Sequence, residues 1–170
     1  MTTEERKALT QEQKTTKPKI DDVIENYLSG EPLKNLQDFI AYLREIKLSP
    51  RWASTNAWAS KHKSQLVSTI RLQGSSALEL KENEWVVHML EKFGHNYLDE
   101  FISCEKFKEV VWNNIKPCNR CSSCGPRNKE YMGKKFDSIC GLRIINPSGE
   151  TLDYVKKIVE ANKRFVLQNI

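Results

Sequence analysis

The sequence predicts a single α+β domain: a small antiparallel sheet flanked by helices, with a cysteine-rich, metal-stabilised loop. The 170 residues are enough for one core and too few for two comfortable ones. Apolar residues recur at helical spacing, then alternate in the middle of the chain, then return to helical spacing. Connections between the predicted strands are too short for parallel crossovers. We expect the domain to span residues 19–170, with the loop at 116–140.

Helical patterns follow a polar N-terminal segment. Residues 1–18 carry few apolar side chains and are predicted to form a flexible tail. Ile20–Leu28 is predicted to form a short helix, with two aspartates in its first turn. A longer helix is predicted between Pro32 and Pro50. Its apolar positions recur at three- and four-residue steps: Leu33, Leu36, Phe39, Ile40, Leu43 and Ile46.

The middle of the chain carries the strand signals. Leu66–Leu72 alternates in polarity and is rich in β-branched residues, and Trp85–Leu90 is a second apolar run. Ser54–Lys61 is predicted to precede them as a further strand, and Leu78–Leu80 to lie between them as a short one. Consecutive strands with short connections predict an antiparallel meander.

The last third predicts two helices on either side of a strand. Tyr97–Ile115 has helical apolar spacing and ends before Pro117. Gly141–Ile145 is predicted to be a strand, and Ser148 to be the N-cap of the final helix. The predicted buried face of that helix consists of Leu152, Val155, Ile158, Val159, Phe165 and Val166.

Four of the five cysteines form one pattern: Cys118, Cys121, Cys124 and, sixteen residues later, Cys140. A spacing of two residues lets neighbouring sulfurs face one point, and the fourth thiolate completes a tetrahedron, which indicates a structural zinc site. An iron–sulfur cluster is one alternative, although proline normally follows its last cysteine. Free thiols that act as a redox pair are another.

The net charge of +5 is local to this segment. Between Lys116 and Lys135 six residues are basic and one is acidic, whereas the rest of the chain is balanced. Neighbouring basic residues lower thiol pKa values and offset the negative charge of four thiolates around a divalent cation. The same patch also suits phosphate groups.

No catalytic constellation is indicated by spacing. Four protein ligands leave no position on zinc for a reactive water. The segment Pro117–Cys121 fits half of the zinc-deaminase signature, but no histidine has glutamate two positions later.

The sequence also bears on compartment and on the fifth cysteine. It has neither an apolar run of membrane-spanning length nor an apolar signal segment at Met1, so we expect a cytoplasmic protein with reduced thiols. Cys104 is predicted to be a small buried residue of the helix before the loop.

Aromatic and basic residues interleave between positions 51 and 63. The candidate ligand or nucleic-acid surface comprises Arg51, Trp58, Lys61 and Lys63, together with Arg120 and Arg127 of the loop. Such residues can stack on bases and neutralise phosphates. An edge strand protected by lysines explains the same pattern, and the tryptophans also suit a core or a ligand-pocket wall. His88 is predicted to be a half-buried strand residue.

The layout resembles small uncharacterised bacterial α+β proteins of the YdhG-like type over roughly residues 35–165. The resemblance is carried by the Trp58 segment, by the strands Leu66–Leu72 and Trp85–His88, and by Gly133–Phe136. It implies a small sheet with flanking helices and no established activity.

These observations predict a non-enzymatic binding module in which a four-cysteine zinc site holds a basic surface loop. The alternative is a thiol-based redox or metal-sensing protein that uses the same cysteines. A third hypothesis is a small-molecule pocket walled by tryptophans. Nucleic acid and small ligands are the candidate partners, and the residues do not select between them.

Overall fold

The computed structural model describes residues 2–75, 79–89, 104–117, 129–137, 139 and 141–168. The helices are α1 (Thr3–Thr16), α2 (Gly30–Glu45), α3 (Glu105–Asn114) and α4 (Gly149–Gln168). The strands are β1 (Arg51–Ser54), β2 (Ala57–His62), β3 (Gln65–Leu72), β4 (Trp85–Met89), β5 (Ile115–Lys116), β6 (Lys129–Tyr131), β7 (Lys134–Phe136) and β8 (Gly141–Ile145). The predicted α+β class, with a small antiparallel sheet and helices, is confirmed.

The main sheet has the order β1-β2-β3-β4-β8-β5, and every neighbouring pair is antiparallel. Its first four strands form the predicted meander, and β6 and β7 form a separate hairpin. The predicted strand Ser54–Lys61 is instead interrupted by a turn, because Asn56 adopts a left-handed conformation (φ 49°) that breaks the strand. Of the predicted short strand Leu78–Leu80, Leu78 lies outside the described residues, and residues 79–80 are not in a strand.

The N-terminal segment differs from the predicted tail. Thr3–Thr16 is helical, and a capping box joins the side chain of Thr2 to Glu5 and that of Glu5 back to Thr2. Gln13 is buried, and its side chain bonds to the backbone N–H and the side-chain amide of Asn56. A polar contact therefore holds α1 against the rest of the domain. The spacing of apolar residues does not predict a contact of this kind.

Two further elements differ in their details. Ile20–Leu28 forms two single 3₁₀ turns, Ile20–Asp22 and Ile24–Asn26, instead of one helix. The described part of the predicted helix Tyr97–Ile115 is helical over Glu105–Asn114, and its first seven residues lie outside the described residues.

One face of the sheet packs against α2 and α4. Alternation places on this face the buried residues Trp58, Ile70, Val87 and Ile144, which pair in a row across four strands. The ring of Phe39 on α2 stacks on Trp85, with centroids 5.9 Å apart. The hydroxyl of Tyr42 donates to the carbonyl of Lys156, which ties α2 to α4.

Alternation places a different row on the opposite face. Arg51, Ala59, Thr69, His88 and Arg143 pair in succession across β1, β2, β3, β4 and β8. Arg51 and Arg143 thus lie at the two ends of this row, with Ala59, Thr69 and His88 between them.

Candidate functional site

An open groove of about 800 Å³ lies where the end of α2 meets the hairpin β1–β2. Its charged lining consists of Arg44, Lys47, Arg51 and Lys61, and none of its described lining residues is acidic. The groove is therefore a concentrated region of positive potential.

Each cation reaches the groove from a different part of the fold. Arg44 lies in the last turn of α2, where it forms an ion pair with Asp21. Lys47 follows α2 in a left-handed conformation (φ 61°). Arg51 pairs with Ala59 across the hairpin, and Lys61 lies two residues beyond Ala59 on the same face of β2. Sheet register thus brings Arg51 and Lys61 together.

Three of these cations have no carboxylate partner in the part of the chain that the structure describes. Lys47, Arg51 and Lys61 are all exposed, and no ion pair joins them to a described acidic residue. Exposed like charges repel one another weakly in water, so they can remain unpaired until an anion binds.

Trp52 is the aromatic residue among the described ones that line the groove; it also packs against the core cluster, on the strand face of its β2 partner Trp58. Trp52 is half-buried, and its indole N–H donates to the Oε1 atom of Gln13 at 3.2 Å. The same Gln13 oxygen accepts from the backbone N–H of Asn56 at 2.8 Å. The unexpected helix α1 therefore fixes the orientation of this ring.

The predicted ligand surface is only partly brought together. Arg51 and Lys61 line the groove, whereas Lys63 is exposed in the turn between β2 and β3. Trp58 does not belong to this surface, contrary to the prediction: it is 0% exposed and its indole N–H donates to the carbonyl of Pro18 at 2.9 Å. Strand alternation directs it into the core. Arg120 and Arg127 lie outside the described residues.

Sequence reasoning missed Arg44 and Lys47. Arg44 lies in the last turn of α2, and Lys47 lies two residues after its end. Isolated basic residues at such positions are usually ordinary solvent-exposed charges, so the sequence does not mark them as part of a site. A search for basic residues near the aromatic segment in sequence could have found Lys47, which precedes Arg51 by four positions.

A second cationic cluster lies toward the other end of the same sheet face. It contains Arg71, His88 and Arg143, all partly exposed. Burial and the charges of Arg143 and Arg71 lower the pKa of His88 to about 4, so this imidazole is neutral at physiological pH. His88 is half-buried, as predicted.

Gly141 lies beneath the imidazole of His88. Its φ is +143°, and a Cβ atom there would lie 2.6 Å from the carbonyl oxygen of Met89 and 3.0 Å from Nε2 of His88. Only glycine lets β8 approach β4 so closely at this point.

Cys104 is exposed, which contradicts its predicted burial. It is the N-cap residue of α3, and its Sγ atom lies 3.9 Å from the hydroxyl of Tyr154. The backbone N–H of Phe107 is the main cause of the lowered pKa of this thiol. The buried prediction failed because the helix begins after Cys104 instead of enclosing it.

The four cysteines of the predicted zinc site lie outside the described residues. In the described ranges no group of three or more His, Cys, Asp or Glu residues is placed to hold a metal. The described residues on either side of the cysteine segment are adjacent, because Lys116 of β5 pairs with Gly141 of β8. The chain therefore enters and leaves the segment at neighbouring points of the sheet.

The fold and the groove together define an α+β domain with a cationic, aromatic-walled cleft at one edge of its sheet. Comparison with models of protein families, with curated proteins and with solved structures gives no match to this chain. The resemblance to YdhG-like proteins accordingly stays a prediction. Within the described ranges no helix combines the length and apolar character needed to span a membrane.

Proposed function

We propose that this chain is a non-enzymatic binding module for single-stranded nucleic acid, with the groove contacting backbone phosphates. The observation that supports the proposal is the arrangement of Lys47, Arg51 and Lys61, three exposed cations without described partners around one open groove. Phosphate contacts by such residues release condensed counterions, which is a principal source of affinity for nucleic acids.

The wall formed by Trp52 favours nucleic acid over other polyanions. Bases stack on aromatic rings independently of sequence, whereas an acidic peptide gains little from an indole. Because Gln13 holds Trp52 in place, stacking on its accessible side does not require the ring to be ordered first.

Charge removal in the groove is expected to reduce the salt dependence of binding. Three single-strand phosphate contacts contribute about 2 to the slope of log Kobs against log salt concentration. The triple variant Lys47→Gln, Arg51→Gln, Lys61→Gln should therefore bind more weakly and lose about 2 from that slope. Fluorescence anisotropy with a labelled oligonucleotide, measured over a range of salt concentrations, tests this.

A matched control removes the same charge elsewhere. Arg6, Lys7 and Lys14 are exposed on α1, and glutamine maintains helix propensity there. The control triple variant should keep the wild-type slope. An unchanged slope in the groove variant, or an acidic peptide that competes as well as the oligonucleotide, would contradict the proposal.

We also propose that Cys118, Cys121, Cys124 and Cys140 hold a structural zinc ion in a reducing compartment. Support comes from their spacing and from the pairing of Lys116 with Gly141, which keeps the two ends of the cysteine segment together. Zinc would supply the organising centre for residues 118–128, which carry no large apolar side chain.

Purified protein is expected to contain about one zinc per chain, measured by elemental analysis. Cys140→Ser should lower the metal content strongly, because a closed four-ligand site loses one of its ligands. Cys104→Ser is the matched control and should keep the zinc, since this exposed thiol is separate from the four-cysteine pattern. Metal-free protein with four reduced thiols would refute the zinc proposal, and a visible absorption band would replace it with an iron–sulfur cluster.

A further inference from the structure

We propose that Arg71 and Arg143 bind one phosphate group on the sheet face opposite α2 and α4. This site is distinct from the groove, and the inference does not depend on the function proposed for the groove. The phosphate group belongs either to inorganic phosphate or to a small phosphate ester.

Strand alternation places both arginines on the same face. Ile70 and Leu72 on either side of Arg71 are buried in the core, and so are Leu142 and Ile144 on either side of Arg143. Successive side chains of a strand point to opposite faces. Both guanidinium groups therefore lie on the face away from the core.

Sheet register brings the two side chains to the same stretch of β4. Arg143 of β8 pairs with His88, and Arg71 of β3 pairs with Val86, two residues earlier on β4. Neighbouring strands are about 4.8 Å apart, and an arginine side chain is longer than this spacing. The two guanidinium groups can thus approach one ligand above β4 from opposite sides.

Both arginines have unused donors. The Nε atoms of Arg71 and Arg143 are buried and have no hydrogen-bond partner among the described residues, and no described carboxylate forms an ion pair with either residue. Buried donors in folded proteins nearly always have a partner. Two guanidinium groups with unpaired Nε donors, close to one another, can therefore donate to the oxygens of one anion.

Their proximity is also visible in the electrostatics. Burial and the charge of Arg143 lower the pKa of Arg71, and both arginines contribute to the low pKa of His88. Like charges perturb one another in this way only at short range. An anion placed between them would remove this repulsion.

Phosphate matches the site better than a carboxylate. Two guanidinium groups carry a charge of +2 and present planar forks, each suited to two oxygen atoms. A phosphate group offers three or four oxygens and nearly two negative charges, whereas a carboxylate offers two oxygens and one charge. His88 is neutral at pH 7, so it provides a polar wall without further charge.

Phosphate is expected to raise the Tm of the wild-type protein at constant ionic strength, with chloride as the balancing anion. Arg71→Gln and Arg143→Gln should each weaken the apparent affinity for phosphate about tenfold or more, because each removes a charge-assisted pair of hydrogen bonds. A comparison of a nucleoside 5′-monophosphate with inorganic phosphate shows whether the site prefers a phosphate ester or the free ion. Acetate serves as the carboxylate ligand and should raise the Tm less than phosphate does.

Three controls keep the result interpretable. Arg6→Gln makes the same substitution on the exposed surface of α1 and should keep the phosphate response. The groove triple variant should also keep it, which separates this site from the groove. Arg71→Lys and Arg143→Lys maintain charge without the fork, and should fold while binding phosphate more weakly than wild type.

Two results would overturn the proposal. One is a phosphate response that survives in Arg71→Gln and Arg143→Gln but disappears in the groove variant, which would place the anion in the groove. The other is a wild-type protein that is indifferent to phosphate.

Discussion

Replacement of Trp58 by alanine is expected to lower the free energy of unfolding by about 3–5 kcal/mol. The side chain is 0% exposed and belongs to the hydrophobic core cluster near the start of β2, so its removal leaves a cavity that the core cannot fully close. The change also removes the hydrogen bond from the indole to the carbonyl of Pro18. Urea denaturation followed by far-ultraviolet circular dichroism measures the effect.

Two further variants test whether the destabilisation comes from the burial of the Trp58 ring. Trp58→Phe keeps much of the aromatic packing and should be less destabilising than Trp58→Ala. Trp52→Ala changes the half-exposed tryptophan of the groove and should cost less than Trp58→Ala, because less of its surface is buried. Equal effects of Trp52→Ala and Trp58→Ala would show that Trp58 is not the buried residue of the pair.

Acidification from pH 6.5 to pH 4 is expected to remove about 3 kcal/mol of stability through His88. The pKa of His88 is lowered from 6.5 to about 4, mainly by burial and further by Arg143 and Arg71. In this pH window the unfolded chain binds the proton and the folded chain does not. The stabilisation is therefore complete above pH 6.5 and is lost as the pH falls toward 4.

The variant His88→Gln isolates this contribution, because glutamine does not titrate. The free energy of unfolding of wild type relative to that of His88→Gln should fall with decreasing pH over the same window. His62→Gln is the control and should retain most of the wild-type loss, because the pKa of His62 is lowered less than that of His88. A pH profile of His88→Gln parallel to that of wild type would contradict the assignment.

Strong periodicity made several elements predictable. The predicted helix through Leu36, Phe39, Ile40 and Leu43 corresponds to α2, whose buried residues are these four. Alternating residues likewise located β3, and Gly141–Ile145 is β8 with the predicted bounds. In each case one local pattern decides which side chains meet the core.

The elements that were missed depend on contacts between residues distant in sequence. Few apolar residues mark α1, whose docking comes from Gln13 and Asn56, 43 positions apart. The hairpin turn at Asn56 is supported by the same contact and by the bond from its side-chain amide to the carbonyl of Gln73. Local propensity cannot reveal an element whose polar partner lies on another strand.

The candidate site likewise has some features that local sequence predicts and others that depend on long-range contacts. Local composition and period are enough to predict the fold class, the antiparallel meander, the basic character of Arg51 and Lys61 and the spacing of the four cysteines. The burial of Trp58, the position of Lys47 at the groove and the shared face of Arg71 and Arg143 become apparent in the folded structure alone. The physical reason is that strand register and helix packing fix which side chains meet, and both depend on long-range contacts.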